Sequence, residues 1–320
     1  MNDDRPSHLY KYKSFSVESL DLLISDTLFF ADPSTFNDPL DCKPSVMDDI
    51  NDIEVLKEIL YRLIIQKSTK ELNEAAKKIK YTGPRTLEKI NILGDMEAND
   101  IIGRLSSNCQ FNDDFEPPEY YFLRQIERHL LAGYESGILS LAKEYNCPLM
   151  WSHYADQHRG FCFGYNISQA KNENIQPINY HRKRTITSQQ ILDMLNGSEN
   201  AKKEIDNVVL LSKAKPWEYE KEWRYINARG LRNSSLDLKD VTFGLRFKGS
   251  AKYAVMQALS QRPYPVKFYE MKTIHGEFTL ERREVDDRDF VIYPDCNQYH
   301  IDSFDDIADD PESFRPNDAY

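Results

Sequence analysis

A chain of 320 residues, 40% hydrophobic, 12% aromatic and 29% charged, has enough apolar content to bury a core and too much to be a disordered chain. Its formal net charge of -11 opposes non-specific association with DNA, RNA or anionic membrane, partners that reward a basic surface. No apolar run approaches the roughly 20 residues of a bilayer-spanning helix, and the acidic, polar start "MNDDRPSHLY" is unlike a signal peptide, so a cytoplasmic protein without a membrane partner is expected.

In chain order, "HLYKYKS" alternates and is rich in tyrosine, which predicts a strand over Leu9 to Lys13. Ser16 then caps "VESLDLLIS", whose Val17, Leu20, Leu23 and Ile24 fall at helical spacing. A second strand, "TLFFA", runs into "DPSTFNDPLDC", a stretch of Pro, Asn and Asp that reads as turns. From about 50 to 135 the pattern is helical: "IEVLKEILYRLIIQ", then "STKELNEAAKKIK" with a capping-box signature from Ser68 to Glu71, then "PPEYYFLRQIERHLLAGY". "GILSLA" returns to strand, and a helical turn is expected at 149 to 155. "GFCFGYNI" reads as a buried strand.

A strand is expected at "INYH", followed by helices near 188 to 195 and 199 to 213. Strands "WEYEKEWRYI" and "VTFGLRF" come next, then a helix near 250 to 260 and strands "VKFYEM", "EFTLERREV" and "FVIYP". Short, antiparallel-compatible strands with intervening helices favour α+β, with mixed, largely antiparallel sheets, over a doubly wound fold. The expected organisation is one composite domain over 1 to 304 with a helical insertion at about 50 to 135. A mobile acidic tail is expected over 305 to 320.

Three stretches carry candidate chemistry. Read as a strand, "PWEYEKEWRYI" puts Glu220, Glu222 and Arg224 on one face and Tyr219, Lys221, Trp223 and Tyr225 on the other. The two carboxylates are then a working pair, or Glu222 and Arg224 are a structural ion pair. In "FNDPLDC", Asn37, Asp38 and Asp41 either stabilise turns around Pro39 or point carboxylates into a cleft. In "MWSHYADQHRGFCFGY", Trp151 and Tyr154 offer a wall for a planar ring and His153 a donor, against the alternative of a packed aromatic core.

His153 and His158 stand five apart without the intervening glutamate of a zinc helix, so no metal site is expected there. The cysteines (Cys42, Cys109, Cys147, Cys162, Cys296) are scattered without a C-x-x-C pair and are read as reduced thiols. The run His181, Arg182, Lys183, Arg184 is a solvated turn or a phosphate contact. The loop around Asp38 to Asp41, the Trp151 to Tyr154 segment and the Glu220 to Arg224 strand are expected to converge on one cleft.

The order of these motifs resembles a group of bacterial proteins, the domain of unknown function 2971 family. "LYKYKS", "FADPSTFNDPLDC", "MWSHYADQHRGFCFGY" and "WEYEKEWR" carry the likeness across roughly residues 9 to 290. That family implies no activity. "YEKEW" also resembles the Glu-x-Glu strand of ADP-ribosyltransferases, which implies an ADP-ribosyltransferase-like fold and glycosyl transfer from NAD as co-substrate to an unknown macromolecular acceptor, or NAD hydrolysis, without a metal.

By that resemblance Glu222 stabilises an oxocarbenium-like transition state and Glu220 serves the acceptor. Tyr10 and Lys13 contact ribose or pyrophosphate, and Trp151 or Tyr154 faces nicotinamide. The Ser-Thr-Ser strand and the His-Gly-Thr of that fold are absent here. Two other classes stay open. One is a protein that binds a nucleotide or a partner without catalysis, with the Glu residues as an ion-pair network. The other is a Mg-dependent nuclease or phosphodiesterase gathering Asp38, Asp41, Glu220 and Glu222.

Overall fold

The computed structural model describes residues 5–80, 83, 86–108, 117–168 and 174–285. The first strand, β1 (His8–Lys13), leads to α1 (Val17–Ile24). Ser16 caps α1 reciprocally: its Oγ accepts from the Ser19 amide at 3.2 Å, and Ser19 Oγ accepts from the Ser16 amide at 2.8 Å. After β2 (Thr27–Phe30), a 3-10 turn over Pro33–Thr35 and β3 (Ser45–Met47) come three helices, α2 (Ile53–Lys78), α3 (Thr86–Asn108) and α4 (Pro118–Ala132).

The capping box expected at Ser68 does not form, because α2 runs through it without a break. Ser68 is buried in mid-helix and donates to Glu97 Oε2 at 2.6 Å. Its hydroxyl thus finds a partner across to α3, which removes its reason to stop the helix.

The chain continues through β4 (Ser136–Ala142), α5 (Pro148–Tyr154), β5 (Phe161–Asn166) and β6 (Ile175–Pro177). A strand over "INYH" is not formed: β6 ends at Pro177, and beyond it only an isolated bridge joins Asn179 to Ser212. Asn179 Oδ1 accepts from the His181 amide at 2.9 Å, a local turn bond that competes with sheet pairing. Next come β7 (Thr185–Thr187), α6 (Ser188–Leu195) and α7 (Glu199–Leu211). A 3-10 turn over Lys215–Glu220 precedes β8 (Glu222–Ala228), β9 (Gly230–Asn233) and β10 (Asp237–Phe243), and α8 (Gly249–Leu259), β11 (Lys267–Thr273) and β12 (Leu280–Glu284) follow. "FVIYP" and the acidic tail lie outside the described residues.

The fold is α+β, with strands that pair mainly antiparallel. The chain forms two compact units, the first from residues up to Leu9, Asp26–Glu144 and Ile167–Leu236, the second from Tyr10–Ser25, Tyr145–Asn166 and residues from Asp237 on. In the first unit β8 lies between β4 and β6, antiparallel to both, and β2 pairs with β9. Its core is a cluster that includes Leu56, Ile59, Leu60, Ile64, Phe122, Ile126 and Ile205. These come from one stripe each of α2, α4 and α7, so the helical block and the strands share one interior.

In the second unit the strand order is β12-β11-β10-β5, with β10 and β11 parallel and the other pairs antiparallel. Phe161, Phe163 and Phe243 are buried, and Phe247 stands 4.9 Å from Phe243 between ring centroids. The Arg282 guanidinium sits over Tyr145 at 4.1 Å and Tyr269 at 4.2 Å and donates to Asp240 Oδ1 at 3.0 Å. Gly164 makes room for that carboxylate: a Cβ there would come within 2.4 Å of Asp240.

Candidate functional site

The densest collection of charge in the first unit is buried. Arg224, on β8, has no exposed surface and uses every donor nitrogen of its guanidinium. Nε donates to Glu222 Oε1 at 2.9 Å, and Nη2 donates to Asp41 Oδ1 and Oδ2 at 2.8 and 2.7 Å. Nη1 donates to the Leu210 carbonyl at 2.7 Å and to Cys42 Sγ at 3.0 Å. The Leu210 carbonyl belongs to the last turn of α7, where helix carbonyls lack internal partners and a cation is favoured. One side chain therefore ties β8 to the loop of Asp41 and to the end of α7.

A second cation completes the cluster. Lys213 follows α7, and its Nζ pairs with Glu222 Oε2 at 2.9 Å, with Glu220, and with Asp41 Oδ2 at 3.8 Å. Burial alone would raise the Glu222 pKa, but Arg224 and Lys213 outweigh it and hold the carboxyl far below its usual range. Burial likewise works against the Lys213 charge, and Glu222 and Glu220 reverse it. The Cys42 thiol is pushed up to about 12 by burial, against the pull of Arg224, so it stays protonated.

The route by which Glu220 reaches Lys213 differs from the strand expected. "KPWEYE" is a 3-10 turn begun by Pro216, and Lys221 is left-handed at φ 42° and ψ 49°, so β8 starts only at Glu222. Pro216 suits the first turn of a helix and cannot donate to a ladder, which is why the alternation of "WEYEKEW" misleads. The alternation does hold from Glu222 to Arg224. The same turn aims Trp217 at the Phe-Asn-Asp-Pro loop, where its Nε1 donates to Asp38 Oδ2 at 2.7 Å while Asp38 Oδ1 accepts from the Leu40 amide at 2.8 Å. Asp38 and Asp41 thus join "FNDPLDC" to "WEYEKEWR", as turn stabiliser and ion partner respectively.

Trp151, His153 and Tyr154 belong to the second unit, as do Tyr10 and Lys13. Trp151 has no exposed surface, donates from Nε1 to the Tyr145 carbonyl at 2.8 Å, meets Tyr12 edge-on at 5.2 Å and stacks with His158 at 6.2 Å. Tyr10 meets Tyr145 edge-on at 5.4 Å, burial raises its pKa, and burial lowers that of Lys13. His153 is exposed and Tyr154 half-buried, their rings 6.3 Å apart. Asp156, Gln157 and His158 are left-handed in succession, and the loop closes on Gly160, where a Cβ would stand 2.2 Å from the Lys13 carbonyl.

Beside the ion cluster, the first unit has a pocket of about 520 Å³ lined by Gln176, Asn179, Tyr180, His181, Arg182 and Glu218, with Asn207 and Leu211 of α7. Tyr180 connects the two: its hydroxyl accepts from the Glu222 amide at 2.8 Å. Burial raises the Tyr180 pKa further above neutrality, so it is a neutral donor at physiological pH. His181 Nε2 stands 3.5 Å from Glu218 Oε1. Tyr180 and Lys213 are the site residues that sequence reading missed. Only Lys213 left a trace, as the first cation after the apolar run "VVLL" of "VVLLSKAKPW".

Among the described residues no group of three or more His, Cys, Asp or Glu is placed to hold a metal ion, and none of their helices is long and apolar enough to cross a membrane. Residues 150–225 match the family described as protein of unknown function (DUF2971). That segment contains the "MWSHYADQHRGFCFGY" and "WEYEKEWR" motifs of the resemblance, while "LYKYKS" and "FNDPLDC" lie outside it. No curated protein and no solved structure matches the chain.

Proposed function

We propose that the DUF2971 segment of this chain is a non-catalytic binding module for a small anionic molecule of nucleotide type, held in the pocket around Tyr180 and Arg182. In this reading Glu220 and Glu222 are the frame of the pocket, not its chemistry. The observation that carries it is the commitment of Glu222, whose two oxygens are taken by Arg224 and Lys213 at 4% exposure. An ADP-ribosyltransferase needs that carboxylate facing a developing sugar cation. A guanidinium and an ammonium already neutralise it here.

The same two cations stand where a Mg²⁺ would have to sit among Asp41, Glu220 and Glu222, which weighs against the nuclease reading as well. NAD is then one candidate ligand among nucleotides, not a co-substrate, and no macromolecular acceptor is called for. The pocket supplies the hydrogen-bonding groups such a ligand uses: the Tyr180 hydroxyl, the Arg182 guanidinium, and the amides of Gln176, Asn179 and Asn207.

Thermal unfolding of the full chain with ATP, GTP and NAD tests this. A ligand present at 100 times its Kd stabilises the folded state by about 2.7 kcal/mol, so at least one nucleotide should raise the midpoint of the wild type. Arg182→Ala should abolish the rise while leaving the ligand-free midpoint close to wild type, and Tyr180→Phe should abolish it from a lowered ligand-free midpoint, because the Glu222 amide loses its acceptor. A wild type that no nucleotide stabilises, or variants that respond as the wild type does, would overturn the proposal.

A further inference from the structure

A separate cavity of about 640 Å³ in the first unit shares no lining residue with the pocket around Tyr180. Its interior is aliphatic, with Leu63, Leu130 and Leu210 buried and Met194 and Ile226 half-buried. These five side chains come one each from α2, α4, α7, α6 and β8, so the hollow lies where five elements meet and is not a groove along one of them. Its volume falls within the roughly 300–1,000 Å³ usual for ligand pockets.

The charged groups of the lining are already matched. Lys70 pairs with Glu135 at 2.7 Å and Lys67 with Glu71 at 3.7 Å, in both cases at the solvent side. Lys202 stands one helical turn before Asp206 on α7, and Asp206 also accepts from the Tyr134 hydroxyl at 2.6 Å. Each lysine therefore has a carboxylate as neighbour, and the lining favours neither an anion nor a cation. The His129 ring adds no charge, because burial, with Lys67 and Arg128 nearby, depresses its pKa, and its unpartnered Nδ1 is sealed from any guest.

A charged guest would give up its hydration to walls that return no opposite charge, whereas an uncharged aliphatic chain gains from the same transfer. We infer that this cavity binds a neutral aliphatic molecule with a small uncharged head, of the long-chain alcohol class, its chain within the Leu, Met and Ile interior and its head toward the exposed amides of Gln66 and Asn227. An amide both donates and accepts, so it serves a hydroxyl without bringing charge. Only His129 and Tyr134 bring rings to the lining, which gives no stacking wall for a planar aromatic. The unbranched, polarizable Met194 adapts to a flexible chain.

Calorimetric titration of the full chain with 1-decanol, decanoate and decyltrimethylammonium, each below its aggregation limit, tests the inference, because the three share a chain and differ in the charge of the head. 1-Decanol should bind saturably at one site per chain, and each ion at least tenfold more weakly. From 1-hexanol to 1-decanol the affinity should rise by up to about fourfold per methylene, the gain for burying that group. Met194→Glu, which brings a carboxylate to the wall, should weaken 1-decanol at least tenfold. Ala228→Trp should do the same from an exposed position on the lining, where a large ring obstructs the mouth without disturbing the core. Arg182→Ala, in the nucleotide pocket, should bind 1-decanol as the wild type does, so failure of one site is distinguishable from failure of the other. Absence of saturable 1-decanol binding, an ion bound as tightly as the alcohol, wild-type affinity in both cavity variants, or loss of binding in Arg182→Ala would overturn it.

Discussion

Replacing Arg224 by methionine should destabilise the protein by about 3–5 kcal/mol, the usual cost of removing one partner from a buried ion pair. Methionine keeps much of the apolar stem but leaves Asp41 and Glu222 buried with Lys213 as their remaining cation, and it leaves the Leu210 carbonyl without its donor. Four groups on three segments lose a partner together, so the effect should exceed that of any exposed ion pair in the chain. Those, like Arg104 with Asp100, contribute about 0–1 kcal/mol. Urea unfolding of wild type and variant measures the difference. A midpoint within error of wild type would mean that the guanidinium is not holding the loop, the helix end and the strand together.

Trp151→Ala should cost about as much, roughly 3–5 kcal/mol, the range for removing a large buried aromatic side chain. The indole has no exposed surface, and its Nε1 is satisfied by the Tyr145 carbonyl. Alanine would open a cavity beside Tyr12 and His158 and leave that carbonyl without its donor. The expectation separates two roles for the tryptophan. A wall for a planar ligand loses affinity on truncation while the ligand-free fold keeps its midpoint, whereas a packed core residue lowers the midpoint with no ligand present. Unfolding of the ligand-free variant distinguishes them, and an unchanged midpoint would restore the ligand-wall reading.

Much of the secondary structure is legible in local pattern. The Ser16 cap, the helical turn at Pro148–Tyr154 and the strand at Phe161–Asn166 stand where periodicity and turn chemistry put them. The misreadings have separate origins, one a partner far along the chain and the others local turn geometry. Ser68 looks like a cap until Glu97 accepts its proton, and "INYH" looks like a strand until Asn179 bonds the His181 amide. Glu220 looks like a strand residue because nothing local reveals that Lys221 is left-handed.

The charge cluster itself is half legible. The Glu-x-Arg alternation of β8 and the acidic loop are visible, and the structural ion pair of Glu222 with Arg224 is one of the two roles that alternation allows. Their meeting through Asp41, 183 residues from Arg224, is a tertiary fact, as is Lys213 seated between the carboxylates. The Trp217 bond to Asp38 has the same character: an indole N–H in a partly buried place needs an acceptor, and the sequence does not say which.

The central claim is that Glu222 is a structural anion and not a catalytic one, and a paired measurement on wild type and Glu222→Gln tests it most directly: NAD cleavage and the unfolding midpoint of each. Glutamine keeps the shape and removes the charge that Arg224 and Lys213 surround. The account predicts no NAD cleavage by either protein and a clearly lower midpoint for the variant at pH 7. Because the folded-state pKa of Glu222 is depressed, the stability its charge supplies is present above the unfolded carboxylate value of about 4.3 and is lost as pH falls through the folded value, so the gap should narrow in acid. Wild-type NAD cleavage that Glu222→Gln abolishes at an unchanged midpoint would contradict the account and make Glu222 catalytic.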